Sequence, residues 1–567
     1  MTSEAPTTPY ISANTRRACS NCRKRKIKCD GGRPTCGQCL RRAHLGIEEC
    51  EYADISGRTQ SEILEENISR LESRIHELED PSRASSVTLH QPYMGQGQSS
   101  ASASSADAAQ VPQEPPDDVR RSLLSSFLPQ GDNFGFFLNA TRFWEATLSS
   151  LPIGHPSRPT PALLSAVYLV AHYLATRQTQ DQRHQQLLSQ ALQEAASTLT
   201  STHPNRVMHG IQAEVLLSTY LFDNGRILEG KYHLSTAVSL AIGAGLHQIR
   251  SQQNRSPSLP PPVDPIEEGE RINAFWTVYM LSNMWGVAVG STSSTIFDTN
   301  PSSEIDTPWP LDMSEYERAS IYAWPGSVQL SDFFPFTQRG LSGNIVGSST
   351  IRNFLAQTST DAPGHGSHYG SSPLALSVKA SVLLDRAATI ASSFRANMTE
   401  AERQEFLNSF SFHEGLIDSF ISSSIPPLNG LDPASPLFRI ALVIHTLSYT
   451  AIIQLHSVFA ERDARSMSKS LAAAEASVSL LRQARHAPLV NPIMAVLWMN
   501  AGKVLLQEIG RLRSRRARSG TPSGGDREGE LHHGLQRLSE TMGVFAGSSV
   551  LMRDQLSNLQ QAHQRLQ

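Results

Sequence analysis

All six cysteines of this 567-residue chain fall within one stretch of 32 residues, Cys19, Cys22, Cys29, Cys36, Cys39 and Cys50, with 2, 6, 6, 2 and 10 residues between successive members. Crowded cysteines form either disulfides or a metal site. The N-terminus MTSEAPTTPY lacks a basic head and an apolar run, so the sequence gives no sign of export to an oxidising compartment. Paired CxxC units in a reducing compartment favour zinc. One tetrahedral zinc held by the two CxxC pairs would leave Cys29 and Cys50 idle. Two zinc ions need eight ligand positions, which six thiolates fill only if two of them bridge both metals, giving a compact binuclear cluster.

The residues around the cysteines indicate what such a cluster would serve. Between Arg16 and Arg42 stand ten basic residues against one acid, Asp30, a local balance of +9. Six thiolates and two zinc ions offset only about two units of that charge. A solvated basic face is the plain reading. A footprint for a polyanion accounts better for the density, because neutralising phosphates and releasing their counterions dominates nucleic-acid binding.

The string CSNCRKRKIKCD, followed by PTCGQC and by a last cysteine in ECEY, resembles the fungal Zn2Cys6 binuclear cluster family of DNA-binding domains. The resemblance implies two zinc ions per chain on Cys19, Cys22, Cys29, Cys36, Cys39 and Cys50, with Cys19 and Cys36 bridging and Pro34 in the loop between the halves. The gap before Cys50 is longer than the family's usual one and implies an extended second loop. The resemblance also implies that a short helix running from Cys22 enters the major groove, with Arg25 and Lys26 reading a CGG-type triplet. Arginine as a fork and lysine as a point donor can both address guanine O6 and N7. Arg23, Lys24, Lys28, Arg41 and Arg42 complete the expected contacts to double-stranded DNA.

The elements that must position this site follow in chain order. Residues 1–15 are polar and expected to be disordered, 16–54 form the DNA-binding domain and 55–62 a linker. Over 63–80 the apolar residues fall on heptads, with Ile68 and Ile75 at a and Leu64, Leu71 and Leu78 at d. Isoleucine at a with leucine at d favours a parallel two-stranded coiled coil, hence a homodimer, although an amphipathic helix packed on its own chain has the same spacing. A two-fold coil favours inverted or everted triplets. Residues 81–116, rich in Ser, Ala, Gln and Pro, read as a disordered linker.

From 117 to 567 the expectation is a large helical regulatory domain, so that the chain as a whole is mostly α. Helical spacing runs through 161–175, 185–199, 211–246, 267–290, 374–394, 436–463 and 492–512, and the third of these folds back at Asp223-Asn224-Gly225. The hairpin, ending in Gly245, Leu246 and His247, and the helix at 267–290 resemble the middle homology region of fungal zinc-cluster regulators. Phe275, Trp276, Tyr279 and Trp285 are expected in the core rather than in a ligand box. Residues 291–372 read as an irregular, loop-rich stretch whose passage at 303–336 is either an ordered covering loop or an acidic, aromatic coactivator-binding segment. The motif GHGSHYG at 364–370 reads as loop, and 436–463 as a core helix despite its apolarity, because Arg439, His445, Gln454 and His456 interrupt it. RLRSRRARSG at 511–520 is either an import patch or a solvated helix end.

Net charge is −3, yet residues 1–58 carry +5 and the remainder −8, so basic character is local. No GxSxG, GxxxxGK[ST], strand-linked GxGxxG or HExxH motif occurs, and no enzyme is expected. The sequence therefore points to a nuclear, sequence-specific regulator of transcription by RNA polymerase II, with coactivators or corepressors as further partners and no membrane. The competing class is a helical scaffold or ligand-sensing protein whose zinc module serves protein contacts. Such a module has no need of the CRKRKIKC charge beside its metal.

Overall fold

A computed structural model describes residues 18–32, 35–41, 50, 52, 68–69, 114–176, 181–249, 259–290, 305–322, 350–356, 370–519 and 525–566. The chain divides into two compact units, Met1–Ala109 and Gln110–Gln567. Among the described residues there are helices and no strand.

Among its described residues the first unit shows the short helices α1 (Ser20–Lys24) and α2 (Gly37–Leu40), which pack against each other, and helical backbone at 68–69. Of the heptad positions only Ile68 is described; it is helical and exposed, while Leu64, Leu71, Ile75 and Leu78 lie outside the described residues.

The second unit is built from α3 (Asp117–Phe127), α4 (Ala140–Leu148), α5 (Pro161–Thr176), α6 (Gln182–Ser197), α7 (Arg206–Asp223), α8 (Ile227–Gly243), α9 (Pro265–Ala288), α10 (Met313–Tyr322), α11 (Thr350–Ala356), α12 (Pro373–Ser393), α13 (Glu400–Ser423), α14 (Pro436–His456), α15 (Ala464–Ala484), α16 (Met494–Ser519), α17 (Gly525–Ala546) and α18 (Val550–Gln564). Three central helices start alike. Asp264-Pro265, Ser372-Pro373 and Ser435-Pro436 each put an accepting side chain on the first free N–H groups of α9, α12 and α14, with proline where no N–H is needed. Packing then runs from helix to helix, α8 and α9, α9 and α12, α12 and α14, α14 and α15, and on to α16. α18 returns to α7, where Ser549 Oγ donates to the Asp223 carbonyl at 3.4 Å.

The hairpin turn between α7 and α8 lies where the sequence places it, with Gly225 at φ 72° supplying the left-handed residue. Phe275, Trp276, Tyr279 and Trp285 are buried, and Trp285 stacks on Phe222 with 3.9 Å between ring centroids. α14 is the one helix among the described residues long and apolar enough to cross a membrane, and 67% of its most apolar window is buried inside the protein. Its polar interruptions are met locally: Arg439 pairs with Asp132 at 3.0 Å, and His456, whose pKa burial lowers, lies 3.4 Å from Glu414. It stops at His456, short of 463, because Asp463 caps the next helix by accepting from Ser466 N at 2.8 Å.

Among the described residues of 291–372 lie the helices α10 and α11, which its loop-rich composition conceals. Ahead of α10, Trp309 stacks on Trp276 at 4.7 Å, and the Trp276 indole N–H donates to the Pro308 carbonyl at 2.7 Å, so 305–312 lies on the core as a covering segment. Residues 323–349, with most of GHGSHYG, lie outside the described residues. α16 continues through the arginine run to Ser519 with residues 514–518 exposed, so the run lies on a helix end open to solvent, as either reading of it requires.

Candidate metal centre and nucleic-acid interface

The two CxxC units fold alike. Cys19 is the N-cap of α1 and accepts from Cys22 N at 3.4 Å, and Cys36 is the N-cap of α2 and accepts from Cys39 N at 3.4 Å. Sulfur here takes the capping place usually held by serine or aspartate oxygen. Each helix therefore aims its first cysteine and, one turn on, its second at the same point, and Cys19 and Cys36 are both fully buried.

The thiols form two overlapping groups of four, Cys19, Cys22, Cys29 and Cys36, and Cys19, Cys36, Cys39 and Cys50, within each of which every sulfur lies within 4.8 Å of the others. The shared members are Cys19 and Cys36, whose sulfurs are 3.8 Å apart. Cys19 to Cys39 is also 3.8 Å and Cys22 to Cys36 is 3.6 Å. Tetrahedral zinc with Zn–S bonds of about 2.3 Å requires sulfurs about 3.8 Å apart, so this donor set fits zinc. Burial pushes the Cys22 thiol up from its ordinary range. Cys36 is opposed by burial but drawn down to about 6 by the Cys39 backbone N–H and by its neighbouring thiols. Thiols so closely placed lose their protons most readily together with metal uptake.

Two residues outside the cysteine pattern hold the loop around the sulfurs. Asp30 accepts from Gly32 N at 3.2 Å and from Gly37 N at 2.9 and 3.1 Å, tying the loop to the start of α2. Tyr52 donates its hydroxyl to the Gly32 carbonyl at 2.8 Å and lies 3.8 Å from Cys29 Sγ. Sequence reasoning saw Asp30 only as the lone acid in a basic run and Tyr52 only as the end of ECEY. The available signal for Asp30 was its Asp-Gly-Gly context, which favours a side-chain-closed turn.

The basic residues face outward. Arg23, Lys24, Arg25, Lys26 and Lys28 are exposed, as is Arg41, and none of the first five is paired with a carboxylate among the described residues. Arg16, Arg17, Arg33 and Arg42 lie outside the described residues. α1 ends in a Schellman motif, with Lys26 N donating to Arg23 O and Ile27 N to Cys22 O, both at 3.1 Å. Its left-handed residue is Lys26, at φ 54°, the only non-glycine residue with positive φ among those described. A lysine at a place that favours glycine departs from local stability and projects a long cation beside the end of α1.

A cluster of six thiols beside a cationic helix end that no described carboxylate pairs is the arrangement of a zinc-cluster DNA-binding module. Residues 17–59 match the fungal Zn(2)-Cys(6) binuclear cluster domain, and residues 133–378 match the fungal specific transcription factor domain, so the chain carries both. The notoamide biosynthesis cluster transcriptional coactivator notQ' of Aspergillus versicolor is 27% identical over 311 residues, 52% of this chain and 57% of that protein. The transcriptional activator protein acu-15 of Neurospora crassa is 44% identical over 66 residues, 11% of this chain and 7% of that protein. The chain thus spans a little over half of one relative and a small part of the other. No solved structure matches the chain.

Proposed function

We propose that this protein is a nuclear, homodimeric regulator of transcription by RNA polymerase II that reads CGG-type triplets in double-stranded DNA and performs no catalysis. The observation that carries the reading is the pair of four-thiol groups sharing Cys19 and Cys36, set beside a cationic helix end that no described acid neutralises. Cys19, Cys22, Cys29 and Cys36 would hold one zinc, and Cys19, Cys36, Cys39 and Cys50 the other. Bound zinc supplies the folding energy of a module too small to have an apolar core. Arg25 and Lys26 are the base readers, and Arg23, Lys24, Lys28, Arg41 and Arg42 contact phosphates. Leu64, Ile68, Leu71, Ile75 and Leu78 would form the dimer seam, and the helical unit would receive coactivators or corepressors.

Selection of bound sequences from random DNA by the zinc-loaded full chain tests this. Paired triplets in inverted or everted order are expected, with affinity falling about 10³–10⁵-fold from 50 to 200 mM salt if six to ten phosphates are contacted. A selected pool with no enriched triplet would overturn base reading and leave the module as a protein-contact device.

A further inference from the structure

The last two helices hold an arrangement that DNA reading does not use. α17 and α18 pack side by side, and an open cleft of about 550 Å³ between them is lined by His532 and His533 from α17 and by His563 from α18. His532 Nδ1 and His563 Nε2 face each other at 3.2 Å, in rings that are both partly exposed. Behind the first ring, His532 Nε2 lies 3.2 Å from Arg513 Nη2 and 3.7 Å from Glu528 Oε1.

A separation of 3.2 Å suits a metal ion as well as a shared proton. Zn–N bonds of about 2.0–2.1 Å, at right or tetrahedral angles, place two ligating nitrogens about 2.8–3.4 Å apart. Histidine ligands also take an outer partner that fixes the ring's tautomer, most often a carboxylate. A guanidinium only donates, so with Arg513 as its partner His532 Nε2 accepts, and Nδ1 carries the proton that bridges to His563. Glu528 offers the other arrangement: once a small turn of the ring closes the 3.7 Å gap, Nε2 carries the proton and donates it to Glu528 Oε1, and Nδ1 presents its lone pair to the cleft. The imidazole stays neutral through the change, and one proton moves from Nδ1 to Nε2. Glu528 is already anchored for this, 2.8 Å from Arg513 Nε and 3.4 Å from Arg516 Nη1. Gln536, one turn on from His532 in the same cleft lining, gives its amide N–H to Glu540 at 2.9 Å and so keeps its carbonyl oxygen as a further donor atom.

We propose that His532 Nδ1 and His563 Nε2 form the heart of a divalent transition-metal site of zinc type, separate from the cysteine cluster, with Glu528 as the outer carboxylate. The ion would join α17 to α18, with water or the Gln536 carbonyl oxygen in its remaining positions. Two imidazoles bind more weakly than four thiolates, so this site fills after the cluster does.

The test is zinc uptake by the zinc-loaded full chain after dialysis, followed by titration calorimetry and metal analysis. Wild type should take up one more ion per chain than either His532→Asn or His563→Asn. Because all three chains share the same cysteines, cluster zinc cancels in the comparison. His486→Asn, at an exposed histidine outside the cleft, should behave as wild type, and circular dichroism confirms that each variant is folded. Glu528→Gln should weaken uptake about 10- to 100-fold while leaving the stoichiometry at saturation unchanged. Equal uptake and affinity in wild type and His563→Asn would overturn the site and leave the two rings as a hydrogen-bonded pair only. Unchanged affinity in Glu528→Gln would overturn the carboxylate's role.

Discussion

The carboxylate of Asp30 receives the backbone N–H of Gly37 at 2.9 Å, at the first turn of the helix that Cys36 caps. The one acid in the basic run is thereby engaged in closing the metal loop rather than in neutralising its arginines. A Cβ at Gly37 would meet Asp30 Oδ2 at 2.4 Å, so a larger residue there would push the carboxylate off the N–H it accepts. Asp30→Ala removes the accepting group from both N–H partners, and hydrogen bonds to a charged group contribute about 1.5–3 kcal/mol, less where water competes as it does here. The variant should release zinc to a competing chelator several-fold faster than wild type. Release at the wild-type rate would show that the sulfurs hold the loop unaided.

Gly269 in α9 meets the ring of Tyr316 in α10, and a Cβ at that glycine would lie 2.5 Å from Tyr316 Cδ2. Tyr316 is buried and its hydroxyl accepts from Leu311 N at 3.2 Å, so the ring cannot swing aside without loosening the covering segment. Gly269→Ala should destabilise the helical unit by about 1–3 kcal/mol, the usual cost of overpacking. Pairing it with Tyr316→Ala should recover part of that loss in a double-mutant cycle, and purely additive losses would count against the contact.

How far sequence reading reached depended on whether the signal was chemical or geometric. The cysteine spacing indicated two overlapping ligand groups because thiolate count is a property of the sequence, and the hairpin at Asp223-Asn224-Gly225 was legible because a turn needs specific residues. α15 was not seen, since its buried face is made of Ser466, Ser470, Ala473, Ala474 and Ser477 beside Met467, Val478 and Leu481, too small and polar to stand out as an apolar stripe. α16 runs past the apolar segment with Arg511 paired to Glu508 one turn back and with Arg513 and Arg516 paired to Glu528 of α17, a partner that spacing along one helix does not reveal. The roles of Asp30 and Tyr52 depend on loop closure over Gly32, which only coordinates supply.

His413 gives the helical unit an acid-sensitive element. It is buried on α13, bonds to the Leu383 carbonyl on α12 at 2.9 Å, and its pKa is lowered to about 4, chiefly by burial, with the Arg386 charge adding to the effect against the carbonyl's opposing pull. Its ordinary value is 6.5, so the folded state resists a proton that the unfolded chain accepts. The resulting stability is present above about pH 6.5 and is lost as pH falls through about 4, at up to about 1.4 kcal/mol per pH unit. In His413→Gln, which keeps a donor for Leu383, the melting temperature should fall less steeply across that window. Equal slopes in the two proteins would place the acid sensitivity elsewhere.

Lys26 allows fold and readout to be separated at one residue. Its left-handed conformation closes the Schellman motif at the end of α1, and a side chain in that region costs about 1–2 kcal/mol relative to glycine, partly offset by glycine's greater freedom in the unfolded chain. Lys26→Gly should therefore leave the metal-folded module as stable as wild type or more so, judged by chelator resistance, while removing the cation next to Arg25. Lys26→Ala removes the same cation without relieving the backbone. Both variants should lose about 1–3 kcal/mol of affinity for the preferred triplet, and they should differ from each other only in metal retention. Lys24→Ala, at an exposed cation two residues back, should instead weaken preferred and random DNA alike. If Lys26→Gly bound random DNA as poorly as it bound the preferred triplet, Lys26 would be a phosphate contact, and its unusual backbone would have no part in reading sequence.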